Sequence, residues 1–116
     1  MATVDDVRRL ALGLPESNEK PCYGTPGFYV RNNLFARIRS DDETVVVKVD
    51  IGERELLMGA EPETFFITDH YREYPSVLVR LEAIEEDELL EVLTDSWRRV
   101  APKRLLAAFD AEHPAA

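Results

Sequence analysis

Four serines, two histidines and one cysteine are the residues of this chain that could do covalent or metal chemistry. Acyl transfer needs a nucleophile, a base and a group that orients the base. Ser17, Ser40, Ser76 and Ser96 supply hydroxyls, but none sits in a Gly-x-Ser-x-Gly turn, and His70 is the one histidine outside the C-terminal tail. Cys22 has no histidine near it in sequence to lower its pKa, so it reads as a structural, semi-buried thiol. One cysteine and two histidines are too few soft ligands for a zinc site. The acidic runs Asp41–Glu43 and Glu85–Glu88 lack calcium-loop spacing and serve better as a turn and a helix start. No glycine-rich loop is present to cradle a phosphate. The residues therefore predict no catalytic group, no metal and no cofactor.

Binding chemistry has two candidate locations. The first is the loop Thr68–Ser76, where His70, Tyr71 and Tyr74 gather polar-tipped aromatic rings. Such rings suit the wall of a ligand pocket, here beside the C-terminal helices, with Lys103 near a helix start to meet a phosphate. The plainer reading is a loop tied down by its own ring packing. The second location is a run of three strands, Phe28–Arg31, Leu34–Arg39 and Thr44–Asp50, joined at Asn32-Asn33 and Asp41-Asp42. With two-residue turns, alternation puts Leu34, Ala36, Ile38, Val45, Val47 and Val49 on one apolar, packing face. The other face then carries Phe28, Val30, Phe35, Arg37, Arg39, Val46 and Lys48, a mixture of cations and aromatics.

The remaining elements must position that sheet. Thr3 and Asp6 have capping-box spacing, and Val4, Val7, Ala11 and Leu14 follow a helical stripe that Gly13 and Pro15 end with a left-handed cap and a breaker. Glu19–Tyr23 suits an edge strand, where Pro21 is tolerated. Asp50 and Glu53 start a short helix to about Met58, burying Leu56, Leu57 and Ile51, with Gly59 as its stop. Phe65-Phe66-Ile67 is apolar enough for a brief strand. Val77–Ala83 is a further strand, with Val77, Val79 and Leu81 inward and Leu78, Arg80 and Glu82 outward. Glu85–Glu88 load the start of a helix whose stripe is Leu89, Leu90, Leu93, Trp97 and Val100. Pro102 opens a last helix that buries Leu105, Leu106 and Phe109. The chain reads as one unit over residues 1–110 with a frayed tail over 111–116.

Composition bounds the partners. The 116 residues carry a net charge of −9, which repels nucleic acid unless the basic residues are segregated on one surface. No apolar run approaches the ~20 residues needed to span a bilayer, and the start Met-Ala-Thr-Val-Asp-Asp has no signal-peptide pattern. A lone cysteine agrees with a reducing compartment, so a cytoplasmic protein is expected.

The segments His70-Tyr71, Tyr74-Pro75, Val79-Arg80-Leu81, Trp97-Arg98 and Ala101-Pro102-Lys103 carry a family resemblance. With Gly13-Leu14-Pro15-Glu16 and Phe28…Phe35-Ala36, the chain resembles the MmcQ/YjbR family from about Thr3 to Phe109. The resemblance implies a two-layer α+β domain, an antiparallel sheet with the N-terminal and C-terminal helices on one face. It hands over no catalytic residue. Members are often labelled DNA-binding, a label that rests largely on fold similarity. Two expectations follow. One is weak, non-sequence-specific DNA binding by the outer sheet face, with Arg37, Arg39, Lys48 and Arg80 on phosphates and Phe28 or Phe35 stacking on bases. The other is a protein-interaction or small-ligand-binding domain that uses the same face or the His70–Tyr74 loop.

Overall fold

Thr3 starts the first helix as its spacing predicts. Its N–H donates to Asp6 Oδ2 at 2.9 Å, and the Asp6 N–H donates back to Thr3 Oγ1 at 3.2 Å. In this computed structural model, which describes residues 1–113, helix α1 (Val4–Leu12) is followed by strands β1 (Ser17–Cys22), β2 (Thr25–Val30), β3 (Asn33–Ile38) and β4 (Thr44–Lys48). Helix α2 (Ile51–Ala60), β5 (Phe65–Phe66), β6 (Ser76–Arg80), α3 (Glu86–Val100) and α4 (Lys103–Glu112) complete it, with 3-10 turns at Asp69–Tyr71 and Leu81–Ala83. Gly13 closes α1 in the right-handed region at φ −76°, so no left-handed cap is used there.

The six strands form one antiparallel sheet in the order β1-β2-β3-β4-β6-β5. Helices α1 and α3 cover its inner face and α4 packs on α3, with Phe109 against Trp97, giving the two-layer α+β fold. Trp97 of α3 is fully buried and donates its Nε1–H to the Pro15 carbonyl at 3.1 Å, which locks α3 to the end of α1.

The sheet register departs from simple alternation at two places. The β2–β3 turn is Arg31-Asn32, one residue earlier than Asn32-Asn33, with Arg31 at φ 57° and Val30 opposite Asn33. That shift turns Phe28 and Val30 inward, where both are fully buried. A bulge then skips Phe35, since Phe28 pairs with Ala36 and Tyr29 with Leu34. Two residues facing one put both Phe35 and Ala36 into the core. Leu34 is left on the outer side, and beyond Ala36 the expected parity returns, so Ala36, Ile38, Val45, Val47 and Val49 line the core.

Other expectations change for local reasons. Helix α2 continues through Gly59 to Ala60, and its buried residue is Arg54, whereas Leu56 is 74% exposed and Ile51 44%. Arg54 faces backbone carbonyls of the next loop, which a guanidinium can satisfy, while Leu57 and Met58 are half-buried against the core. Leu78 and Val46, on the outer side of the sheet, are buried as well. Helix α4 runs on through Glu112, past the expected start of the tail, with His113 stacked on Phe109; residues 114–116 lie outside the described residues.

Candidate nucleic-acid interface

Strand pairing collects cations on the outer face. Lys20 of β1 lies opposite Gly27 of β2, Gly27 opposite Arg37 of β3, and Arg37 opposite Val46 of β4. Lys48 and Arg80 continue the same face on β4 and β6. No carboxylate occupies an outward strand position between Asn18 and Arg80, although the chain as a whole carries −9. Among the described residues the side-chain ion pairs involve Arg8, Arg9, Arg31, Arg72 and Arg98, and none engages Lys20, Arg37, Lys48 or Arg80.

Aromatic rings lie among these cations. The Lys20 ammonium stands 4.5 Å from the Tyr29 ring centre, and the Arg37 guanidinium 5.8 Å from that of Tyr23. Tyr23 is 93% exposed. Gly27 makes this packing feasible. A Cβ there would stand 2.8 Å from Cys22 Cβ and 3.1 Å from the Tyr29 ring, so only glycine lets Tyr29 and Cys22 close over the strand. Burial, with the Cys22 thiol beside it, pushes the Tyr29 hydroxyl above its ordinary pKa.

The loop after β5 folds onto the same side. Arg37 Nη1 donates to Tyr71 Oη at 3.4 Å and Nε to Thr25 Oγ1 at 3.3 Å. His70 meets Tyr71 edge-on, with ring centres 4.8 Å apart, and Tyr74 at 5.8 Å. Arg54 holds the loop from α2. Its Nη1 donates to the carbonyls of Tyr71 (3.1 Å), Tyr74 (2.8 Å) and Ser76 (3.2 Å), and its Nη2 to that of Arg72 (2.9 Å). Composition offered no sign of this role. The one signal was an arginine four residues after the helix-starting Asp50.

The structure brings together only part of the expected set. Arg37 and Lys48 line one small recess with Tyr71. Phe28 and Phe35 are fully buried in the core, because of the early turn and the bulge, and cannot stack on a base. Their place is taken by Tyr23, Tyr29 and Tyr71. Arg80 is committed at the far edge, lying 3.9 Å over Phe66 and donating to the carbonyls of Pro62 and Glu63. Arg39 follows the end of β3 near the Asp41 carboxylate. Lys103 starts α4 on the helical side of the sheet, so it does not join His70, Tyr71 and Tyr74 on the outer side. The pocket expected beside the C-terminal helices is therefore not formed by that loop.

A second cavity has the opposite charge. A cleft of about 340 Å³ between the end of β4, α2 and α3 is lined by Asp50, Glu53, Glu88, Glu91 and Asp95, with Lys48 and Arg99 at its margins. A hydrogen bond with the Glu61 carboxyl, burial and neighbouring carboxylates push Glu88 up to about 7. Burial also raises Asp95. Among the described residues, no three His, Cys, Asp or Glu side chains are arranged to hold a metal ion.

These features define a two-layer α+β protein with one cationic sheet face. The chain matches the YjbR family model over residues 12–99 and belongs to that family. It is 34% identical over 127 residues to the uncharacterized proteins Rv2570 of Mycobacterium tuberculosis and Mb2600 of Mycobacterium bovis, covering 94% of this chain and 96% of theirs. It is also similar to the crystal structure of Deinococcus radiodurans protein DR2400, described by the family-model domain DUF419. There the TM-score is 0.75 at 29% identity, over 97% of this chain and 88% of that one. No helix among the described residues is long and apolar enough to cross a membrane.

Proposed function

We propose that this YjbR-family protein is a non-catalytic binding domain that takes single-stranded nucleic acid, weakly and without sequence preference, on its outer sheet face. The observation that carries this reading is charge segregation. A chain of net charge −9 keeps Lys20, Arg37 and Lys48 on a strand surface free of carboxylates and sets Tyr23, Tyr29 and Tyr71 among them. Cations spaced by strand geometry suit phosphates, and exposed rings suit unstacked bases. A duplex offers those rings no base faces.

Binding of a mixed-sequence, fluorescently labelled single strand at a series of salt concentrations tests this. Three phosphate contacts predict a log–log salt slope of about −2 for single strands. The triple variant Lys20→Ala, Arg37→Ala, Lys48→Ala should fold and lose binding. A parent protein that binds no single strand at low salt overturns the proposal. That result would favour a protein-interaction domain, for which the exposed Leu56 and Ile51 of α2 and the 55% exposed Tyr74 speak.

A further inference from the structure

Between β3, β4 and the Tyr71 ring lies a recess of about 70 Å³, whose lining includes Leu34, Arg37, Val46, Lys48, Tyr71 and Ser76. We propose that this recess is a seat for a single phosphate group. The inference rests on, and sharpens, the nucleic-acid reading, because it singles out one position on the face where a phosphate is gripped rather than loosely attracted.

Four observations lead there. Two cations line the recess, and neither has a carboxylate within ion-pair distance among the described residues. Arg37 uses one N–H on Thr25 and one on Tyr71, so three of its five donors remain for a ligand. The Tyr71 hydroxyl accepts from Arg37, which leaves its own proton free to donate to an anion in the recess that Tyr71 lines. The walls are also held in place. Arg37 is fixed at two atoms, and Tyr71 belongs to the loop whose carbonyls Arg54 grips from a buried position. Donors that are already ordered lose little freedom when the anion arrives. The apolar Leu34 and Val46 in the lining strengthen charge-assisted hydrogen bonds made beside them.

Size selects the ligand. At about 70 Å³, against about 340 Å³ for the acidic cleft, the recess suits one tetrahedral oxyanion and not a base or a sugar. The shared chemistry is a phosphate dianion or monoester, free in solution or at the end of a strand.

The test is an NMR titration of the intact protein with inorganic phosphate, with ionic strength held constant by chloride. The Arg37 Nε–H and the backbone amides of β3, β4 and Tyr71 are followed. Saturable shifts confined to these groups are expected. Tyr71→Phe, which removes one hydroxyl and leaves the ring, should weaken phosphate by about tenfold or less, and Arg37→Lys by about tenfold or more. Lys103→Ala, at the start of α4 on the helical side of the sheet, should leave it unchanged. A second arm compares a short single strand with and without a 5′-phosphate. Tighter binding of the phosphorylated strand, lost in Tyr71→Phe, assigns the seat to a terminal phosphate. Phosphate binding without strand binding keeps the seat and removes the nucleic-acid reading. Strand binding that is indifferent to Tyr71→Phe, with no saturable phosphate shifts, overturns the seat and leaves the nucleic-acid reading standing.

Discussion

Ser96 of α3 donates its hydroxyl to the carbonyl of Phe35, the residue the sheet ladder skips. The same oxygen accepts the N–H of Lys48 at 2.8 Å. The paired region of β3 and β4 ends at Ala36 and Val47, so these two backbone groups have lost the sheet partners a regular ladder would supply. A fully buried side chain from the opposite layer replaces them. Ser96→Ala should leave a buried donor and a buried acceptor unpaired and destabilise the fold by about 1–3 kcal/mol for each. Chemical denaturation measures the loss, and a variant as stable as the parent would show that water fills the gap.

Arg54 sets the loop that carries Tyr71. Arg54→Met keeps the stem and removes every donor to the Tyr71, Arg72, Tyr74 and Ser76 carbonyls. A loss of at least about 1.5–3 kcal/mol is expected, since the donor is charged. Hydrogen exchange should quicken across residues 69–76 before it does elsewhere. Arg54→Lys should rescue little, because one ammonium cannot span four carbonyls. Unchanged exchange in that segment would remove Arg54 from this role.

Trp97→Ala should cost about 3–5 kcal/mol, as expected for a large core side chain. The ring is fully buried, packs 5.0 Å from the Phe109 ring centre and holds Pro15. Thermal unfolding would contradict this if the variant melted within a degree or two of the parent.

Glu88 predicts a pH dependence of definite sign. The Glu61 hydrogen bond, burial and nearby carboxylates raise it from 4.5 to about 7. The folded state thus holds this proton more tightly than the unfolded chain does. Its contribution is complete below about 4.5 and is lost as pH rises through about 7. Glu88→Gln imitates the protonated form at every pH. The stability of Glu88→Gln relative to the parent should therefore climb between those values and then level off. A difference that stays flat with pH would contradict it.

The amino-acid sequence by itself determined the elements made by local rules. The Thr3–Asp6 capping box, the Asp50 helix start, the Pro102 entry to α4 and the Asp41-Asp42 turn each depend on neighbours a few residues away. The Leu89, Leu93 and Trp97 stripe and the valines of β4 also declared the core, because periodicity reports which side of an element is apolar. The tertiary structure alone decided which side chains the outer sheet face presents. A turn one residue early and a bulge at Phe35 exchanged Phe28, Val30 and Phe35 for Tyr29 and Leu34 on the outer face. Apolar residues are compatible with either parity, so local pattern does not choose between them. The choice falls to Ser96, which reaches from α3 to the skipped carbonyl, and to a core that needs the volume of Phe35. Arg54 shows the same division. Its place on a helix is local information, but its burial depends on carbonyls some twenty residues away that only folding brings to it.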